Sequence, residues 1–251
     1  MTARPAGRPS RSPAGAGATP GVPAVPAWSR RIGAFLAHVV WDTQVVGARH
    51  VPADGPLILA ANHTGVVDGP VVIGVAPRAV HMMVKEEVFV GPVGTVLRTA
   101  GHIPVDRTGG RPALVAAGTV LRRGDAVGIF PEGNRGRGDA ASAEAGVAWL
   151  AVNAGAPVVP VAVLGTRRTG EGVGHIPGLR RRIVIEFGEP LHLERRSGVS
   201  GRQAIAHANE AIRTALSELV AAASLRSGLA LPTDDPNREP TTTRGRRGRG
   251  T

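Results

Sequence analysis

The sequence predicts an α/β domain with a mixed, mostly parallel sheet flanked by helices, and three observations predict it. Short apolar runs recur through the middle of the chain, separated by helical patterns. Several of those runs are continuous rather than alternating, as expected of strands covered on both faces. Setting aside two ends that cannot bury a face leaves roughly 200 residues, which suits one domain of this class.

Taken in order, residues 1–27 are Pro, Gly, Ala and Arg without periodicity and read as a disordered arm. The arm lacks the continuous apolar stretch of a secretory signal. Residues 28–42 read as an N-terminal amphipathic helix, with Trp28, Ile32, Phe35, Leu36, Val39 and Val40 near one face and Arg30 and Arg31 beside it. Two readings of it stand at this point. One is a helix lying in a lipid interface with Trp28 and Trp41 at headgroup depth; the other is an ordinary helix packed on the domain. Candidate strands follow at Leu57–Ala61, 80–84, 102–105, 127–130, Val158–Leu164 and 183–187. Pro160 interrupts the fifth of these and predicts an edge position or a bulge. Helical patterns occupy about 86–100, 111–123 and 143–154, the last two closed by Gly124 and Gly155 as C′ glycines. A final helix over 201–223 is opened by Ser200 with Gln203 three residues on, a capping-box pair. The domain is thus expected over 28–225, and 226–251 reads as a disordered basic tail, either simply solvated or touching RNA or acidic lipid. No run is long and apolar enough to span a bilayer.

Composition narrows the function. With no cysteine, a disulfide framework, a thiolate zinc site and a cysteine nucleophile are all excluded. Aromatics at 3% weaken any reading that needs stacking platforms for single-stranded nucleic acid. A net charge of +11 points to an anionic partner: nucleic acid, a phospholipid surface or a phosphorylated substrate.

Four segments carry candidate chemistry. In LILAANHTGVVDGP a strand runs out into Asn62 and His63, and Asp68 follows five residues after the histidine. If a helix starts near Asp68, its carboxylate can accept from one ring nitrogen and leave the other basic, the arrangement of a His–Asp general base without a serine. The competing structural reading is that Asn62 and Asp68 cap a turn. In AGHIPVDR, Arg107 follows a strand end, where α/β folds gather ligands. In IFPEGNRGRG, Glu132, Gly133 and Arg135 form a sharp loop whose arginine could hold a phosphate bidentately. APVVPVAVLGT is a buried strand through Val159, Pro160 and Val161.

The order Asn-His-x4-Asp, Gly-x-Ile-Pro-Val-Asp-Arg, Phe-Pro-Glu-Gly-x-Arg, Val-Pro-Val-Ala resembles the family of 1-acylglycerol-3-phosphate O-acyltransferases from about residue 56 to 190. The stretch VKEEVFVGPVGTVLRTAGHIPVDR is similar to the family's linker, and the only lysine of the chain, Lys85, falls at the linker's lysine position. The resemblance implies a glycerol-3-phosphate acyltransferase-like fold and acyl transfer from a thioester, acyl-CoA or acyl-carrier protein, to lysophosphatidic acid. It requires no cofactor and no metal. His63 would be the general base and Asp68 its orienting partner. Arg107, Glu132, Gly133, Arg135, Asn62 and Lys85 would bind substrate, and Val159, Pro160 and Val161 would lie on the acyl side. A peripheral place on the cytoplasmic face of the membrane is expected, with the helix over 28–42 as its anchor and no specific nucleic-acid partner. Departures from the family pattern are Gly65 for Ser, Asn134 for Thr, Gly136 for Ser and Glu144 for Lys. Because these border the phosphate site, glycerol-3-phosphate or another lysolipid stands as an alternative acceptor. A non-catalytic basic lipid- or nucleic-acid-binding protein is the reading outside the enzyme class.

Overall fold

The apolar runs become seven strands of one sheet in a computed structural model that describes residues 21–106, 110–140, 145–194 and 198–235. The strands are β1 Asp42–Val46, β2 Leu57–Ala61, β3 Val80–Lys85, β4 Ile103–Val105, β5 Ala126–Ile129, β6 Val158–Leu164 and β7 Arg182–Phe187. The α-helices among the described residues are α1 Ala27–Phe35, α2 Asp68–Val75, α3 Gly91–Thr99, α4 Arg111–Arg122, α5 Gly146–Ala154 and α6 Gly201–Ser227. Spatial order is β1-β7-β6-β2-β5-β3-β4. The run from β6 to β4 is parallel, β7 is antiparallel to β6, and β1 is parallel to β7. The mixed, mostly parallel sheet is as the sequence predicts.

Both faces are covered, which is why β2 and β6 have no exposed side chain. Leu57, Leu59, Val159, Val161, Ile183 and Ile185 pack with Val71 and Val72 of α2 on one face. Ile58, Val127 and Val158 pack with Ala117, Leu121, Leu150 and Ile212 of α4, α5 and α6 on the other. Ser200 and Gln203 form the capping box of α6. Gly124 and Gly155 take φ of +84° and +61° after their helices.

Four expectations change. The strand β1 was not foreseen: DTQVV is short, half polar, and reads as the trailing end of an amphipathic helix. Pro160 is not at an edge, and the bulge it predicts lies in the chain that faces it rather than in its own strand. β6 is interior, with β2 on one side and β7 on the other. The residue is tolerated because pairing on that side passes from Val161–Phe187 to Val158–Leu191, which sets one extra residue, a bulge, opposite the missing N–H. Gly188 instead donates to the Pro160 carbonyl at 2.8 Å. The helix over 28–42 is shorter than expected: α1 ends at Phe35, a π-helical turn spans Leu36–Val40, and the chain straightens at Trp41. Trp41 is no headgroup anchor, being buried with its indole donating to the Pro177 carbonyl at 3.0 Å. Finally, the described chain exceeds the expected 28–225 at both ends. Val22 accepts from Arg123 at 3.0 Å, α6 continues to Ser227, and residues 229–235 turn back over the domain.

The same helix is inverted relative to a usual surface helix, whose apolar stripe faces inward. Ser29, Gly33 and Ala37 are its buried positions. A Cβ built on Gly33 would lie 2.7 Å from the Gly74 Cα in α2, so the backbones touch. Arg30 reaches the carbonyls of Ala76 and Pro77 just past the end of α2 at 3.2 and 3.3 Å. With small residues facing inward, Trp28, Ile32, Phe35 and Val39 face outward, the last three more than half exposed. No helix among the described residues is long and apolar enough to cross a membrane.

Candidate active site

The carboxyl ends of β2, β3, β5 and β6 converge, and the loops leaving them carry the candidate groups. His63 follows β2, and Asp68 opens α2, where the helix dipole favours a negative charge. The Asp68 carboxylate is fully buried. Its Oδ2 accepts from His63 Nδ1 at 2.8 Å, from the Thr64 N–H at 2.7 Å and from the Gly65 N–H at 2.9 Å. Because the carboxylate and its backbone partners fix Nδ1 as the donor, the imidazole is left with Nε2 as the basic nitrogen. The ring stacks on Phe130 at 3.9 Å between centroids and 11° between planes, so only rotation within that plane is open to it.

The loop after β5 closes over this pair. Gly133 donates to the Phe130 carbonyl at 3.1 Å and takes φ of +67°, a turn that needs a glycine. Glu132 Oε1 accepts the His63 backbone N–H at 3.2 Å, and Gly136 donates to the His63 carbonyl at 3.0 Å. His63 is therefore held through both its backbone N–H and its carbonyl. Burial pushes the Glu132 carboxyl up to about 8, with the charges of Asp139 and Asp68 adding to it against the His63 N–H. Near neutral pH Glu132 is thus mostly uncharged beside a loop expected to hold an anion. Lys85, at the end of β3, donates to Asn134 Oδ1 at 2.5 Å. The Asn at this departure from the family pattern thereby ties two site loops together. Arg135 is half-buried in the same loop. Arg107 and Glu144 lie outside the described residues.

Two expectations about the site are corrected. Asn62 presents nothing to a ligand. Its amide is fully buried, donating to the Val163 carbonyl at 3.1 Å and accepting from the Val163 N–H at 2.6 Å, which extends the β2–β6 ladder by side chain. Val159, Pro160 and Val161 do not line an acyl route; all three are interior residues of β6 without exposed surface. Sequence reasoning also missed three contributors. Gly138 passes so close that a Cβ would lie 2.3 Å from Thr64 Cγ2. Thr166 meets Thr64 hydroxyl to hydroxyl at 2.9 Å. Arg167 is buried beneath both loops. The signal for the last two was their place just past the carboxyl end of a wholly apolar strand.

The fold and this pair of groups define a class: α/β domains that carry a histidine–carboxylate pair at the carboxyl ends of a largely parallel sheet. The acyltransferase family model matches residues 42–164, from β1 to the end of β6. The chain is 30% identical over 179 residues to the 1-acyl-sn-glycerol-3-phosphate acyltransferase of Bacillus subtilis, covering 70% of this chain and 87% of that one. It is also 30% identical to human 1-acyl-sn-glycerol-3-phosphate acyltransferase beta, over 47% of this chain and 45% of that one. The crystal structure of the acyltransferase PlsC from Thermotoga maritima shares the fold, with a TM-score of 0.59 at 24% identity over 76% of this chain and 78% of that one. The chain belongs to the acyltransferase family and is an enzyme of that kind.

Proposed function

We propose that the protein transfers a fatty acyl group from acyl-CoA or acyl-carrier protein to the free hydroxyl of 1-acylglycerol-3-phosphate, giving phosphatidic acid. The observation that carries the reading is the 2.8 Å bond between His63 Nδ1 and a fully buried Asp68, which leaves Nε2 basic beside the Glu132–Arg135 loop. Nε2 takes the hydroxyl proton as the oxygen attacks the thioester carbonyl. The tetrahedral intermediate collapses, the C–S bond breaks, and the thiolate recovers the proton from the imidazolium. Asp68 holds the tautomer and stabilises the imidazolium; a positioned base of this kind contributes roughly 10²–10⁴-fold. Arg135 holds the acceptor phosphate, joined by Arg107, with Glu132 neutral so that it does not oppose the anion. The acceptor named for the relatives in Bacillus subtilis and human supports the substrate class.

The reaction takes place at a membrane surface, with the outward stripe Trp28, Ile32, Phe35 and Val39 buried among lipid headgroups. Ile176 and Leu179, both strongly exposed, extend this stripe, since Arg180 donates to the Val40 carbonyl at 2.7 Å. The orientation follows from the sheet. β1 runs against β2, so the turn that joins α1 to β1 lies at the same end as His63.

The test is acyl transfer by purified protein against lysophosphatidic acid, glycerol-3-phosphate and lysophosphatidylcholine, with both donor types. His63→Ala is expected to lose at least 10³-fold in single-turnover rate with its melting temperature near that of the parent, and Asp68→Asn to be severely impaired. Near-parent turnover by His63→Ala would overturn the mechanism. Preference for an acceptor without a phosphate would overturn the substrate assignment.

A further inference from the structure

Beyond α6 the chain caps with Gly228 and then crosses to the carboxyl end of the sheet, where residues 229–235 lie against the site loops. Leu231 approaches Gly138, its Cδ2 3.8 Å from where a Cβ there would stand. The Thr233 N–H donates to Thr169 Oγ1 at 3.0 Å, and the two threonine hydroxyls are 3.3 Å apart. Asp234 then meets Arg167. Nη1 of that arginine donates to both carboxylate oxygens, at 3.1 and 3.0 Å, and Nη2 to the Asp234 carbonyl at 3.0 Å.

Arg167 has no exposed side-chain surface. A guanidinium cannot shed its charge, so burying one demands a counter-charge and hydrogen-bond acceptors. Asp234 is the carboxylate with which it forms an ion pair. Nη1 also donates to the Glu171 carbonyl at 2.9 Å and Nη2 to the Gly136 carbonyl at 3.0 Å, while Nε finds no partner among the described residues. Gly136 in turn donates to the His63 carbonyl. An unbroken relay therefore runs from the strap through Arg167 and the Gly136 peptide to the backbone of the proposed base. Gly65, in the His63–Asp68 turn, sits directly over Arg167, its Cβ position 3.6 Å from the arginine Cβ.

We propose that residues 229–235 are a working part of the active site: a strap whose Asp234 neutralises Arg167, and that Arg167 is the positioning residue setting the Glu132–Gly138 loop against His63. The proposal rests on the acyltransferase reading for its kinetic consequence, though not for its structural one. Without the Asp234 carboxylate, Arg167 turns toward other acceptors and releases the Gly136 carbonyl, and the loop bearing Arg135 loses its register. The loss falls on the acceptor, whose phosphate that loop holds, and not on the thioester donor.

The experiment uses the full chain with Asp234→Ala, and with Asp234→Asn, which keeps the shape of the strap while removing its charge, in case the alanine variant does not fold. The KM for lysophosphatidic acid is expected to rise about tenfold or more, with the donor KM within twofold. Hydrogen exchange of residues 130–140 is expected to accelerate at least tenfold while β2 and β6 stay protected. Because the chain has no cysteine, a Thr169→Cys/Thr233→Cys pair forms a single defined disulfide that fastens the strap without Asp234. Oxidised, that pair is expected to leave the acceptor KM of the Asp234 variant raised about as far as reduced, because a fastened strap still offers Arg167 no counter-charge. An unchanged acceptor KM, equal rises for both substrates, or full rescue by the disulfide overturns the proposal. If the parent transfers no acyl group at all, the functional reading fails, and the exchange of residues 130–140 still decides whether the strap orders the loop.

Discussion

Replacing Glu132 with Gln is expected to make the protein more stable above neutral pH, against the usual outcome of altering a motif residue. The carboxyl group titrates at about 8 in the folded chain against an ordinary 4.5, burial being the main cause. A folded-state pKa raised in this way means that the native protein holds the proton more tightly than the unfolded chain. Its stabilising contribution is complete below pH 4.5 and is lost as pH rises through about 8. At roughly 1.4 kcal/mol per pH unit, the loss across that window is about 3–5 kcal/mol after allowance for partial solvent access. Glutamine reproduces the protonated acid in shape and still accepts the His63 N–H, but it cannot ionise. The assay is urea unfolding of parent and variant from pH 4.5 to 9. The difference in stability is expected to be near zero at the acid end and to favour the variant progressively toward pH 8.5. The acceptor KM of the parent is expected to rise over the same range relative to the variant, as a charged Glu132 comes to oppose the phosphate. A difference in stability that stays flat with pH, or a variant less stable at pH 8.5, would refute the reasoning.

Four further outcomes are expected. Trp28→Ser with Phe35→Ser leaves the unfolding midpoint nearly unchanged but abolishes flotation with anionic vesicles. Gly74→Ala, whose Cβ would stand 2.2 Å from the Gly33 carbonyl, costs stability as well because α1 is forced off α2. Gly138→Ala, strained at φ +69° and aimed at Thr64, destabilises by about 1–3 kcal/mol and lowers kcat, both readable from one preparation by thermal melt and initial rate. Arg135→Ala raises the lysophosphatidic acid KM about 10- to 100-fold, the loss of one charge-assisted contact of roughly 1.5–3 kcal/mol, with little change in the donor KM.

The parts of this protein that were legible in its sequence are those whose reason is local. A strand covered on both faces must be apolar throughout, so β2 and β6 announce themselves, and a capping box is written in two residues of α6. The His63–Asp68 pair was legible for the same reason, since five residues and one turn suffice to close it. What escaped depends on partners far away in the chain. β1 exists because β7, 140 residues later, offers it a ladder (Asp42 pairs with Arg182). Pro160 reads as an edge residue or a bulge, and which of the two depends on how Phe187 to Leu191 pair opposite it. Trp41 reads as an interfacial anchor until the Pro177 carbonyl is found opposite its indole. Asn62 enters the substrate set only by resemblance, and Val163, a hundred residues away, claims its amide instead. The segment LPTDD has no periodicity and resembles a tail, yet an ion pair to a buried arginine and a hydrogen bond from Thr233 to Thr169 fasten it.

The inverted α1 has a consequence for how such an enzyme counts its substrate. The Phe35–Val39 end of its apolar stripe and the proposed base share one end of the sheet, so an enzyme seated on a membrane by that stripe, as proposed, would sample only the lipids within its own patch of surface. For it the acceptor is a mole fraction in two dimensions. Diluting lysophosphatidic acid with inert phospholipid would slow the reaction even while the amount per litre stays fixed. Adding more vesicles of the same composition would not, once every enzyme molecule is seated.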